Sequence, residues 1–293
     1  SDDVSDVVEK VMPAMVSIIN TYVSTGRNFW GQSYSQPGVG SGSGIIVGET
    51  DEELLIVTNN HVVEDSTSLE ITFINEKSFQ AVVKGVDADM DLAVVAVPLS
   101  SLDDATRDAI TVARLGDSDN LKRGEPVVAI GNALGYGQSV TNGIVSALNR
   151  QMTTEDGSTG TYIQTNAAIN HGNSGGALLN VNGEVIGINA ARIDGSTVEG
   201  MGYAIPISAA SPIISELMER QTRTDKVEES DMGYMGIVMQ AVTDEIAGMY
   251  DMPKGVSVIE VTPGSAGEAA GILKGDSIVM FEGLRIWSAT EVQ

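Results

Sequence analysis

The sequence predicts an all-β protein, and three observations carry that prediction. Short β-rich runs follow one another at close intervals from Ser43 onward, turn-forming Gly, Asn and Asp separate them, and the strand–helix–strand alternation of βαβ units is missing. The pattern points to antiparallel sandwiches or barrels. Glycine supplies 33 of the 293 residues without a triplet period, which fits tight turns and barrel corners better than collagen or low complexity.

Along the chain, Val4, Val7, Val8 and Met12 recur at helical spacing with Pro13 as a stop, so the entry is a short helix. VSIINTYV then reads as a strand. From Gly26 to Gly44 the composition shifts to Gly, Ser, Gln and aromatic residues, which predicts a long flexible loop. The runs SGIIV, LLIVTNNHVV, LEITFI, FQAVVKGV, DLAVVAV, PVVAIGN, VTNGIVSAL, TYIQTNA, GALLN, EVIGINAA and MGYAIPI each read as strands. Ser208 to Arg220 places Ile213, Ile214, Leu217 and Met218 on one helical face and closes a domain. Gln221 to Asp231 holds one apolar residue and six charges, a solvated linker. The expected organisation is therefore a domain over residues 1–220, a linker over 221–231 and a second unit over 232–293.

Charge and composition exclude several functions. Lys and Arg total 16 against 40 Asp and Glu, a net charge of −24, so nucleic acid and anionic lipid surfaces are repelled and no nucleic-acid partner is expected. Cysteine is absent, which removes disulfides, thiol nucleophiles and thiolate metal sites. The longest apolar run, Leu92 to Leu99, is far short of the roughly 20 residues of a membrane-spanning helix, so no membrane span is expected. Only two histidines exist, His61 and His171.

Ser174 stands among glycines in Asn170-His171-Gly172-Asn173-Ser174-Gly175-Gly176, just before an apolar strand. Glycines let a backbone turn tightly enough for successive N–H groups to face one point beside the hydroxyl, which a nucleophilic serine needs for its oxyanion. A serine hydroxyl also needs a base, usually histidine, held by a carboxylate. His61 lies at the end of an apolar run, in TNNHVV, and Asp91 opens the run DLAVV. The order His, Asp, Ser is that of chymotrypsin-type triads. Rival readings fail on their own terms. The G-x-S-x-G elbow of α/β-hydrolases wants a histidine after the serine, and none follows Ser174. Asp87-Ala88-Asp89-Met90-Asp91 starts like a calcium loop, but Leu92 and Pro98 stand where Gly and Glu are required. No H-E-x-x-H pattern supports zinc, so neither metal nor cofactor is expected.

Taken together, TNNHVV, DLAVV, GNALGYGQSVTNGIVSALNR and QTNAAINHGNSGGALLN resemble the HtrA/Deg family of trypsin-fold serine proteases, over about Gly40 to Pro206. The resemblance implies two six-stranded antiparallel β-barrels followed by a PDZ domain. It implies Ser174 as nucleophile, His61 as general base and then acid, and Asp91 as the group that orients the imidazole, with the N–H groups of Gly172 and Ser174 as oxyanion hole. Asp87 and Asp89 read as solvated turn residues, and His171 as a loop residue near the substrate. The base of the primary pocket falls at Ala168 and Ile169, with Asn189, Ala190 and Ala191 as wall. No carboxylate stands there, so cleavage after small or medium apolar residues is implied. Asn173 replaces the aspartate with which trypsin zymogens receive a new N-terminus, and Gln151 to Gly160 lacks the arginine sensor of regulated members.

Tyr234-Met235-Gly236-Ile237 resembles the carboxylate-binding loop of a PDZ domain, and Gly255 to Glu282 resembles the body that follows. Only 62 residues run from Met232 to Gln293, against roughly 90 in a PDZ domain, so that domain is expected to be C-terminally incomplete. The methionines around the loop read as core filler. The family further implies an ATP-independent endopeptidase of protein quality control that takes unfolded polypeptides, with a PDZ module for C-terminal peptides. A cell-envelope or secreted location, anchorage through a segment before Ser1 and assembly as a homotrimer are also implied. The rival function is a proteolytically inactive peptide-binding holdase.

Overall fold

The computed structural model describes residues 4–27, 33–133, 137–153, 159–170, 172–191, 201–222, 234–242, 244–281 and 284–286. The described residues up to 222 belong to one compact unit and those from 234 to a second.

The first unit opens with helix α1 (Val4–Val11) and a 3₁₀ turn at Pro13. Six strands then close into a barrel in the order β1-β2-β3-β6-β5-β4. They are β1 (Met15–Arg27), β2 (Ser33–Glu49), β3 (Glu53–Thr58), β4 (Ser66–Thr72), β5 (Ser78–Asp87) and β6 (Leu92–Pro98). A one-turn helix α2 (Asn60–Val63) sits between β3 and β4, and α3 (Asp104–Ala109) follows the barrel. The second barrel closes in the order β10-β11-β12-β9-β8-β7. Its strands are β7 (Pro126–Ala133), β8 (Gly137–Thr153), β9 (Thr159–Thr165), β10 (Ala177–Leu179), β11 (Val185–Ala190) and β12 (Gly202–Pro206), and α4 (Ile207–Glu219) completes the unit.

Several strands are apolar at every position because both of their faces are covered. In β6, Ala93, Val95 and Val97 point into the first barrel, while Leu92, Val94 and Ala96 join a second core that contains Ile130, Leu179 and Ile205 of the other barrel. β3 divides likewise, with Leu54 and Ile56 inside the barrel and Leu55 and Val57 in the second core. In β7 the residues Val127 and Ala129 fill the second barrel, and Val128 and Ile130 face the first. Side chains alternate across a strand, so the two barrels share one dry seam built from the odd or even residues of each. Ile214 and Leu217 of α4 pack into the same seam.

Two expectations are corrected, and one helix carried no signal in the sequence. Residues 33–44 are strand, not loop: β1 and β2 form a long hairpin in which Val23 pairs with Pro37 and Ile18 with Gly42. Composition misled there because a Gly- and Ser-rich arm is extended by its partner rather than by its own propensity. The NHVV of TNNHVV is the helical turn α2, not the end of a strand. The helix α3 had no periodic signal, being only one and a half turns long; Asp103 caps it by accepting from the Thr106 N–H at 2.8 Å.

The second unit is a three-stranded antiparallel sheet, β13 (Ile237–Val242), β14 (Gly255–Val261) and β15 (Ser277–Ile278), in the order β13-β14-β15. Two helices, α5 (Asp244–Tyr250) and α6 (Ala266–Ala269), lie in its connections. Strands β16 (Met280–Phe281) and β17 (Leu284–Arg285) pair beyond them. Met235 and Met239 pack against a small core around Val256 and Ile286, whereas Met249 is exposed. Residues 223–233, most of the expected linker, lie outside the described residues.

Candidate active site

Asp91 is the last residue of the turn between β5 and β6, at φ 52° in the left-handed region that aspartate tolerates better than most residues. It therefore precedes β6 rather than opening it. Its carbonyl accepts from the Asn60 N–H at 3.1 Å and from Asn59 Nδ2 at 3.0 Å, which ties the turn to the start of α2. Both carboxylate oxygens are directed at one residue. Oδ1 accepts from the backbone N–H of His61 at 3.0 Å, and Oδ2 lies 2.7 Å from His61 Nδ1.

A carboxylate at Nδ1 fixes the tautomer of the neutral ring: Nδ1 carries the proton and Nε2 keeps a lone pair. That lone pair faces Ser174 Oγ at 2.9 Å. Ser174 is 2% exposed, and the side chains of His61 and Asp91 are 14% and 19% exposed, so the chain of contacts is largely screened from water. Beyond His61 a cleft of about 320 Å³ opens to solvent, bounded by Asn20, Tyr22, Ser41, Glu64 and Asp65.

The loop that carries Ser174 is built from backbone bonds. Asn173 N donates to Asn170 O at 3.0 Å and Gly176 N to Asn173 O at 3.0 Å. Gly175 has φ 80°, and a Cβ there would stand 2.3 Å from Ser43 O and 2.4 Å from Thr58 Oγ1, so only glycine fits. Ser43 ties this loop to the first barrel. Its N–H donates to Ser174 O at 2.9 Å, and its hydroxyl donates to Gly172 O at 2.9 Å while accepting from Asn132 N at 2.7 Å. The peptide between Gly172 and Asn173 is thus held at both its carbonyl and its N–H. Among the described residues, the N–H groups of Gly172 and Ser174 have no acceptor. Asn173 also bonds its own loop through its side chain, accepting from Asn170 N at 2.9 Å and donating to Ala168 O at 3.1 Å.

The residues expected around a substrate pocket fall into two groups. Ala168 is exposed and Ile169 half-buried, in the stretch leading to the serine loop. Asn189, Ala190 and Ala191 are buried at the end of β11; Asn189 accepts from Gly175 N at 2.9 Å, and its Nδ2 donates to the carbonyls of Ile130 and Ala177. The Asn189 side chain therefore braces the barrel beneath the serine loop. Met235 O and Gly236 O of the second unit accept from Gly267 N and Thr262 N, at 2.7 Å each, beside exposed Tyr234 and the start of β13 at Ile237. His171 lies outside the described residues.

Asp87 corrects the reading of a solvated turn residue. Burial pushes its carboxyl above the usual aspartate range, a bond from the Met90 N–H opposes this, and the charges of Asp89 and Glu216 add to the rise. Sequence reasoning also missed Ser43 and Asn59. Ser43 is distant in sequence from everything it joins and carries no local signal. Asn59 stands two residues before His61, and its Oδ1 is 3.0 Å from Ser174 Oγ. Among the described residues there is no cluster of three or more His, Asp or Glu side chains suited to a metal, and no helix long and apolar enough to cross a membrane.

Residues 42–188 match the family described as trypsin-like peptidase domain. Serine protease Do-like HtrA of Bacillus subtilis is 37% identical over 311 aligned positions, covering 100% of this chain and 66% of its own length. The periplasmic pH-dependent serine endoprotease DegQ of Escherichia coli is 36% identical, covering 98% of this chain and 62% of its own length. The chain thus spans about two thirds of the length of these curated relatives. Two solved structures of the HtrA-type protease AlgW with decapeptide, one of them a variant, superimpose with TM-scores of 0.62 and 0.58 at 26% identity. They cover 99% of this chain and 88% and 89% of their own. Two closed barrels, a matched peptidase domain and relatives aligned over the whole length lead to one conclusion: the chain belongs to the HtrA/Deg family of trypsin-like serine proteases.

Proposed function

We propose that the protein is a serine endopeptidase that hydrolyses unfolded polypeptides without ATP, as part of protein quality control. The observation that carries this reading is the hydrogen-bonded line from Asp91 through His61 to Ser174, joining one barrel to the other. In the proposed reaction Ser174 Oγ attacks the scissile carbonyl while His61 Nε2 takes its proton and later returns it to the leaving amine. Asp91 holds the ring and stabilises the imidazolium. The N–H groups of Gly172 and Ser174 supply the oxyanion hole, which their lack of other acceptors among the described residues supports.

Ala168 and Ile169 are read as the base of the primary pocket and Asn189, Ala190 and Ala191 as its wall; none of them is an acid that could hold a basic side chain, which favours cleavage after small or medium apolar residues. Residues 232–293 are read as a PDZ module, with the loop Tyr234-Met235-Gly236-Ile237 as its carboxylate-binding loop for C-terminal peptides. The relatives named periplasmic support an extracytoplasmic location. Family practice favours a homotrimer.

The test is digestion of denatured casein together with a peptide series varied at the residue before the cleaved bond. Cleavage after Val or Ala at least about tenfold faster than after Arg is expected. Preference for Arg would contradict the pocket assignment, and intact casein would leave the inactive holdase as the better account.

A further inference from the structure

The two N–H groups assigned to the oxyanion hole belong to Gly172 and Ser174, and the peptide between Gly172 and Asn173 lies between them in the chain. Its orientation decides whether the two donors converge. Gly172 has no side chain to restrain it, so the peptide keeps one orientation only if its ends are bonded. The N–H end is held inside the loop, by Asn170 O at 3.0 Å. The carbonyl end is held from 129 positions away, by the Ser43 hydroxyl at 2.9 Å.

That hydroxyl has no freedom of its own. Accepting from Asn132 N at 2.7 Å, it aims its single proton at Gly172 O. Its backbone is pinned on both sides: Ser43 N donates to Ser174 O at 2.9 Å, and Ser43 O accepts from Thr58 Oγ1 at 2.7 Å. Ser43 is fully buried, so water does not replace any of these partners. The loop comes this close because position 131 is glycine, where a Cβ would collide with Asn173 and stand 2.9 Å from Ser43 Oγ.

We propose that Ser43 is a positioning residue for the oxyanion hole: its hydroxyl holds the Gly172–Asn173 peptide so that the N–H groups on either side of it point at one place. This rests on the proposed roles of Ser174, His61 and those two N–H groups. Ser43 is enclosed, so it acts on substrate through Gly172 rather than by contact. Because it belongs to β2, the oxyanion hole of the second barrel depends on the first. Donors aimed at an oxyanion stabilise the transition state more than the bound substrate, so their misplacement lowers kcat and spares KM.

The test compares wild type, Ser43→Ala and Ser43→Thr in hydrolysis of a peptide anilide with Val before the cleaved bond. It also measures inhibition by the matching peptide boronate, whose tetrahedral adduct places an oxygen against the same donors. Ser43→Ala is expected to lower kcat about 10–100-fold with KM within about twofold, and to weaken the boronate by a factor similar to the loss in kcat/KM. Ser43→Thr keeps the hydroxyl and is expected to recover most of both. Unchanged kcat, a loss confined to KM, or a boronate that binds Ser43→Ala as tightly as wild type would overturn the proposal and leave Ser43 as a brace between the barrels. A folded Ser43→Thr as slow as Ser43→Ala would overturn it too. Thermal melts identify a variant that fails to fold. If Ser43→Ala is one, Ser43→Cys, which fills nearly the same space with a poorer donor, must show the same split or the proposal fails; if Ser43→Thr is one, the kcat and boronate comparison decides. A wild type that a fluorophosphonate does not label overturns the activity itself, whereas a labelled wild type with Ser43→Ala just as fast overturns this proposal alone.

Discussion

The turn that carries Asp91 begins with a half-buried carboxyl. At its start, Asp87 is half-buried near Asp89 and Glu216, and its folded pKa lies above the unfolded value. A raised acid pKa means that the protonated form is favoured by folding. Its contribution is then fully present below the unfolded value and is lost as pH rises through the folded one. Asp87→Asn keeps an acceptor for the Met90 N–H and removes the half-buried charge. We expect this variant to melt higher than wild type at pH 7, by about 2 °C, and the gain to vanish below about pH 3.5, where both side chains are neutral. Calorimetry at the two pH values checks it; a lower melting temperature at pH 7 would show that the charge is stabilised by Arg220 more than burial disfavours it. His61, Asp91 and Ser174 could be picked out in sequence because each sits in a short motif. Asp87 could not be distinguished from a solvated aspartate, since its burial depends on α4 closing over the turn from more than a hundred residues away.

Secondary elements were legible wherever the apolar pattern depended on local sequence. The continuous runs LLIV and LAVVAV announced strands, and α4 announced itself by its stripe. The β1–β2 arm did not, because Gly- and Ser-rich residues extend only when a partner strand holds them. Across β3 and β5, which flank β6, Lys84 Nζ meets Glu53 Oε2 at 2.6 Å and Thr222 Oγ1 at 2.8 Å, with the lysine side chain 6% exposed. An ammonium so enclosed is tolerable only with its partner. Glu53→Ala is expected to cost about 3 kcal/mol in urea unfolding, and the double variant Glu53→Leu, Lys84→Met to recover most of it. Equal destabilisation by the single and double variants would show that the pair contributes attraction of its own beyond relief of an unpaired charge.

At the scale of the whole molecule, the arrangement at Ser174 exists only because two barrels meet. His61 and Asp91 are set by the turns of the first barrel, and Ser174 by a loop of the second, with Ser43 bonded to both sides of that junction. None of this convergence can be read from residue order. It follows from a seam in which Val57 and Val94 of one barrel pack with Ile130 and Ile188 of the other. The most direct test of the proposed chemistry is the rate of fluorophosphonate modification, with the modified site mapped by mass spectrometry, in wild type and His61→Ala. The account predicts a single adduct on Ser174 that forms at least about a thousandfold more slowly once the imidazole is removed. Equal rates in the two proteins, or an adduct on another residue, would contradict it.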